Sequence, residues 1–210
     1  MNTKLKKLTS SQEMHAAENA FFKVFKSSDT SSDPFQTTVE EKIILYNELY
    51  GLDEEHYYAL GEIAQYLYNS NTAFLSVIEG LKDKAFPKDR SWTIDLGNYL
   101  YTGLSQAEST SIALLQTAIY SIDGLWGIVF SEYGHAIMGG SHLFIKSFKK
   151  KIPELQNEVF DFLADVKEES ILSPRTKKYF RKWLPELLSN IYGRNEALEL
   201  QKKVGLDLAE

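Results

Sequence analysis

Cysteine is absent from the 210 residues. Its absence excludes disulfides, thiolate nucleophiles and thiolate metal sites together, and it suits a reducing, cytoplasmic setting. Positive charge is in short supply: 23 lysines and arginines against 29 acidic residues leave a formal charge of -6 and a pI near 5.4. An acidic chain with no separate basic domain offers no general field for nucleic acid. The basic residues gather only in short clusters, Lys4, Lys6 and Lys7, then Lys149, Lys150 and Lys151, then Lys177, Lys178, Arg181 and Lys182. These read as solvated helix ends and faces. A long uninterrupted apolar run is also missing. The most apolar stretch, Ile112 to Phe130, contains Gln116, Thr117, Ser121 and Asp123, and an aspartate at bilayer depth is costly, so no membrane span is expected. The start of the chain is basic and then polar, without the apolar centre of a secretory signal. No internal repeat or low-complexity tract stands out.

What is present is ordinary globular composition, 43% hydrophobic and 25% charged, in a chain long enough to bury a core. Helical spacing dominates. Ile112, Leu115, Ile119, Ile122, Trp126, Val129 and Tyr133 step by three and four along one stripe, which predicts a long buried helix. Leu60, Ile63, Ala64 and Leu67 follow Asp53, whose side chain suits an N-cap. Leu155, Val159, Phe162, Leu163 and Val166 mark another helix. Ser173-Pro174 is a cap with proline at the first helical position, leading into Phe180, Trp183, Leu187 and Ile191, with a kink expected at Pro185. The first helix is expected from about Ser10 to Lys26, followed by a serine- and aspartate-rich loop to Pro34, and Phe86 to Arg90 forms a further break. No alternating run is long enough to argue for a sheet. The reading is all-α: residues 1–210 as a single helical bundle of seven to nine helices.

The chemistry-bearing residues are few. Asp53-x-x-His56 and Glu132-x-x-His135 each place a carboxylate and an imidazole on one helical face, as in di-iron bundles, but no matching second set of glutamates accompanies them. No nucleophile elbow, phosphate-binding glycine loop or dinucleotide fingerprint occurs. The unusual segment is Phe130 to Ser141, where Gly134, Gly139 and Gly140 interrupt the apolar pattern. Glycine costs a helix on the order of 1 kcal/mol relative to alanine, so three of them predict a bend, a tight helix crossing or a close approach to the backbone.

This segment resembles the distal helix of the haem oxygenase family, Tyr133 and the Gly139-Gly140 pair being similar to that family's tyrosine and paired glycines. Ser11-Gln12-Glu13-Met14-His15-Ala16-Ala17-Glu18-Asn19-Ala20 resembles the segment that bears its proximal histidine. Leu172-Ser173-Pro174 and Leu187-Leu188-Ser189-Asn190-Ile191 are similar to its last long helix. The matches cover about a third of the chain in the family's order. They imply a haem-oxygenase-like fold in which His15 ligates haem iron with Glu18 nearby. Gly139, Gly140, Tyr133 and His135 would lie on the distal side, with Lys6 and Lys7 meeting propionates. Ala136 stands where the family carries its distal aspartate. Such a protein would degrade haem to a biliverdin-type product with release of iron, using O2 and an electron donor. Two other readings stand beside it. One is a non-catalytic binding protein of the same fold that holds haem or another small ligand. The other is an acidic helical partner protein of the inhibitor or immunity type, in which Tyr57, Tyr58, Tyr66, Tyr68, Tyr99 and Tyr101 form an exposed contact patch.

Overall fold

The computed structural model describes residues 5–46, 52–81, 85–96 and 115–208. Lys4, Tyr99, Tyr101 and Ile112, named above, lie outside the described residues.

The centre of the molecule is a sheet. Its strands are β1 (Lys6–Lys7), β2 (Glu41–Tyr46), β3 (Thr72–Val77), β4 (Ser91–Asp95), β5 (Thr117–Ser121), β6 (Gly127–Phe130) and β7 (His135–Gly140). They lie in the order β1-β4-β3-β5-β6-β7-β2, every neighbouring pair antiparallel. Among the described residues the helices are α1 (Ser11–Val24), α2 (Glu54–Tyr68), α3 (His142–Lys151), α4 (Leu155–Leu172), α5 (Pro174–Phe180), α6 (Leu184–Tyr192) and α7 (Arg194–Val204). The fold is therefore α+β, and neither the all-α bundle nor the haem-oxygenase-like architecture is correct.

The helices cover both faces of the sheet, and the core divides accordingly. On one face Phe21 and Val24 of α1, Phe162 and Leu163 of α4 and Leu187 and Leu188 of α6 pack with Ile44, Tyr120, Val129 and Ile137 of the strands. On the other, Leu60 and Ile63 of α2 and Phe144 and Phe148 of α3 pack with Leu75, Ile119, Ile128 and Met138. Two-sided burial explains why the strands were invisible to a search for alternation: all five residues of β5, all four of β6 and all six of β7 are buried. Strands buried on both faces read as continuous apolar runs, and such a run imitates a buried helix.

From Thr117 onward the predicted long helix is instead two hairpins. In the first, Gly124 follows Asp123 at φ 73° and the Ser121 N–H donates to the Trp126 carbonyl at 3.0 Å. In the second, Gly134 adopts φ 73° and the Ser131 N–H donates to the His135 carbonyl at 2.9 Å. Glycine adopts these positive φ values without a Cβ clash, so Gly134 makes a turn and not a bend in a helix. Gly139 and Gly140 answer to a different need. A Cβ on Gly139 would stand 2.7 Å from the Phe35 ring, and one on Gly140 would stand 2.7 Å from the Phe144 ring. Gly127, opposite Gly139 in the register, makes the same room for Phe25, whose ring centroid lies 5.3 Å from that of Phe35. The glycine pair seats aromatic rings on both faces of β7.

Several helix signals hold. Ser10 caps α1 in a reciprocal capping box with Glu13, and Asp53 caps α2 by accepting from the His56 N–H at 2.8 Å. Ser173 caps α5 with Pro174 in its first turn. Pro185 does not kink one long helix. It lies in the first turn of a separate one, α6, after a turn at 181–183.

Candidate functional site

The expected site residues are scattered by this fold. His15 is exposed on the outer side of α1, and Glu18 is half-buried on the same helix. Lys6 is engaged by Glu13, its Nζ 2.6 Å from Oε1. That lysine, with the Ser10 capping contacts, holds the Glu13 carboxyl down at about 2. Lys7 is exposed on β1, paired with Trp92. Ala136 is buried in β7 between Phe130 and Leu45. Tyr133 packs on Tyr179 and Trp183, with centroids at 5.3 and 5.5 Å, and burial raises its hydroxyl. These residues do not fit a haem. An axial imidazole needs an enclosed apolar slot for the macrocycle, whereas His15 is exposed and the space beside Gly139 and Gly140 is filled by Phe35 and Phe144. Among the described residues no group of three histidine or carboxylate side chains is placed to hold a metal ion.

The two acid-x-x-histidine motifs have opposite surroundings. His135 is fully buried between Phe162 and Trp183, with centroids at 4.7 and 5.7 Å, and its Nε2 lies 3.3 Å from the Thr30 carbonyl. Burial opposes its charged form and lowers its pKa to about 4. His56 lies at the start of α2. Its Nδ1 is 2.5 Å from Asp53 Oδ1 and its Nε2 is 2.5 Å from Glu158 Oε1 of α4. Burial by itself lowers the His56 pKa, but the hydrogen bonds and charges of Glu158 and Asp53 more than reverse this, and the net direction is up. Glu158 has a second task, since its Oε2 accepts the Tyr46 N–H at 2.9 Å. Beside it the Tyr192 hydroxyl accepts the Ile44 N–H at 3.0 Å. Two outward N–H groups of the edge strand β2 are thereby satisfied by side chains from α4 and α6, which blunts the edge against pairing with another chain. Asp53, His56 and Glu158 form a clasp across that edge. The arrangement binds these elements together.

The surface with the composition of a contact site is the outer side of α2. Helical spacing puts Glu54, Glu55, Tyr58, Glu62, Gln65 and Tyr66 on one exposed face. The opposite face is buried and anchored by Tyr57, whose hydroxyl donates to the Asp95 carbonyl at 2.8 Å. Tyr58 is 46% exposed and Tyr66 84%. They line an open groove of about 610 Å³ with Gly61, Glu62, Leu96 and Lys151. The sequence marked the tyrosines but missed that Glu54, Glu55 and Glu62 share their face. The three-and-four spacing from Asp53 onward carried that signal. Glu158 could not have been found in this way, because it meets His56 only through a contact spanning 102 positions.

No protein-family model, curated protein or solved structure matches the chain. Among the described residues no helix is long and apolar enough to cross a membrane.

Proposed function

We propose that this chain is a protein-binding module of the acidic inhibitor or partner type, and that the outer face of α2 is its contact surface. The exposed Tyr58 and Tyr66, four and twelve positions along one stripe from Glu54, carry the reading. Tyrosine supplies large, rigid contact area at low entropic cost and is enriched where interfaces concentrate their binding energy. Neighbouring carboxylates add steering and discrimination against acidic surfaces. Of the α2 tyrosines expected in the patch, Tyr57 faces the core, where it fixes the helix, Tyr68 is half-buried near Phe144, and Tyr58 and Tyr66 face outward.

The test is a selection of binding partners from a displayed library of protein fragments, run in parallel with the wild type and a Tyr58→Ala/Tyr66→Ala variant whose melting curve is unchanged. Partners retained by the wild type and lost by the variant are expected. Partners held equally by both proteins would place the contact surface elsewhere and remove this reading.

A further inference from the structure

The α2 groove already holds a cation of the chain's own. Lys151, the last residue of α3, lines the groove with Tyr58 and Tyr66, and its Nζ lies 2.5 Å from Glu62 Oε2. Both members of the pair are more than half exposed. An ion pair of this kind contributes little to stability, at most about 1 kcal/mol, so displacing it costs little. Its geometry nevertheless sets a positive head group against a carboxylate in a groove that Tyr58 and Tyr66 also line. A guanidinium suits such a place better than an ammonium, because it pairs with a carboxylate through two parallel N–H donors and stacks on an aromatic face. Glu54 and Glu55 extend the negative charge along the same face for a second cation.

We infer that the partner presents an arginine-rich protein segment to the α2 face, and that Lys151 occupies the position of one partner arginine until it is displaced. This rests on the proposed role of α2 and names the chemistry of its partner. Lys151 then acts as an internal competitor, weakening the complex while tuning it for cationic ligands.

The prediction separates from simple loss of structure because one substitution should improve binding. A short arginine-rich peptide is titrated into the full chain by calorimetry and by backbone amide NMR, alongside its citrulline counterpart, which keeps the shape without the charge, and a lysine counterpart. The expected result is binding of the arginine peptide with shifts centred on Tyr58, Glu62 and Tyr66. The lysine peptide should bind more weakly and the citrulline peptide not measurably. Lys151→Ala should tighten binding roughly two- to five-fold, the range released by removing one exposed ion pair. Glu62→Gln should weaken it by roughly five-fold and Tyr58→Ala/Tyr66→Ala by at least about ten-fold. Raising the salt concentration should weaken it further. Weaker binding in Lys151→Ala, or equal binding of arginine and citrulline peptides, would overturn the inference. A library partner that depends on the two tyrosines but carries no basic segment would overturn it too, while leaving α2 as the contact surface.

Discussion

His135 and His56 sit three residues after an acidic side chain in the same spacing, yet the fold gives them opposite environments. His135 is enclosed by Phe162 and Trp183 on one side of β7. His56 is gripped by two carboxylates where α2, α4 and the edge of β2 meet. Burial in an aromatic box disfavours the charged form of the first ring, and the second is favoured as a cation because only the doubly protonated ring donates toward both carboxylates. The comparison teaches that local spacing alone does not set the charge a histidine carries. The element packed against it from far along the chain decides that.

The largest effect should come from emptying the aromatic box. His135→Ala leaves a cavity against Phe162 and Trp183 and is expected to lower the unfolding free energy by about 3 kcal/mol, in the range for large-to-small core changes. His56→Ala should cost less, about 1.5 kcal/mol, since the site is at the edge of the core and solvent can reach the carboxylates left behind. Urea unfolding of both variants ranks them. A larger loss for His56→Ala would reverse the assignment of core and clasp.

The pH dependence sharpens the contrast next. The folded pKa of His135 is depressed from 6.5 to about 4, so the unfolded chain binds the proton more readily. Its contribution is fully present above pH 6.5 and is lost as the pH falls toward 4. The folded pKa of His56 is raised above 6.5. Its contribution is fully present below 6.5, while the carboxylates stay ionised, and is lost as the pH rises through its folded value. Urea midpoints measured across pH should therefore lose part of their acid slope in His135→Phe and part of their alkaline slope in His56→Gln. Glu158→Gln should bring the His56 titration, followed by NMR, down toward or below 6.5, because burial then outweighs the remaining carboxylate. An unchanged His56 titration in that variant would show that Glu158 does not hold the ring.

His15, the third histidine considered, should give the smallest effect. It is exposed on α1, and His15→Ala is expected to change stability by less than about 0.5 kcal/mol. Hemin added to the wild type and to this variant should give the same absorption spectrum. A Soret band present in the wild type and lost in the variant would show a haem site and place function on α1.

The signals that the sequence carried faithfully are local ones. Ser10, Asp53 and Ser173-Pro174 mark helix starts because capping is satisfied within a few residues of the same chain. The stripe of Leu155, Val159, Phe162 and Val166 marks α4 because one helix face meets the core and the other meets water. The tyrosines of α2 were visible, and the acidic residues on their face were there to be counted. Asp123-Gly124 between apolar segments was a hairpin signal as well, but it lay inside a run whose three-and-four spacing imitated a helix.

By itself, then, the sequence determined an acidic, cysteine-free chain, the starts of its helices, and an aromatic helix face. The tertiary structure alone decided the seven-stranded sheet, the seating of Phe35 and Phe144 against Gly139 and Gly140, and the meeting of His56 with Glu158. Caps and amphipathic faces are satisfied by near neighbours, so they leave a readable pattern. A sheet covered on both faces erases its own alternation, and a contact between side chains 102 positions apart leaves no pattern to read.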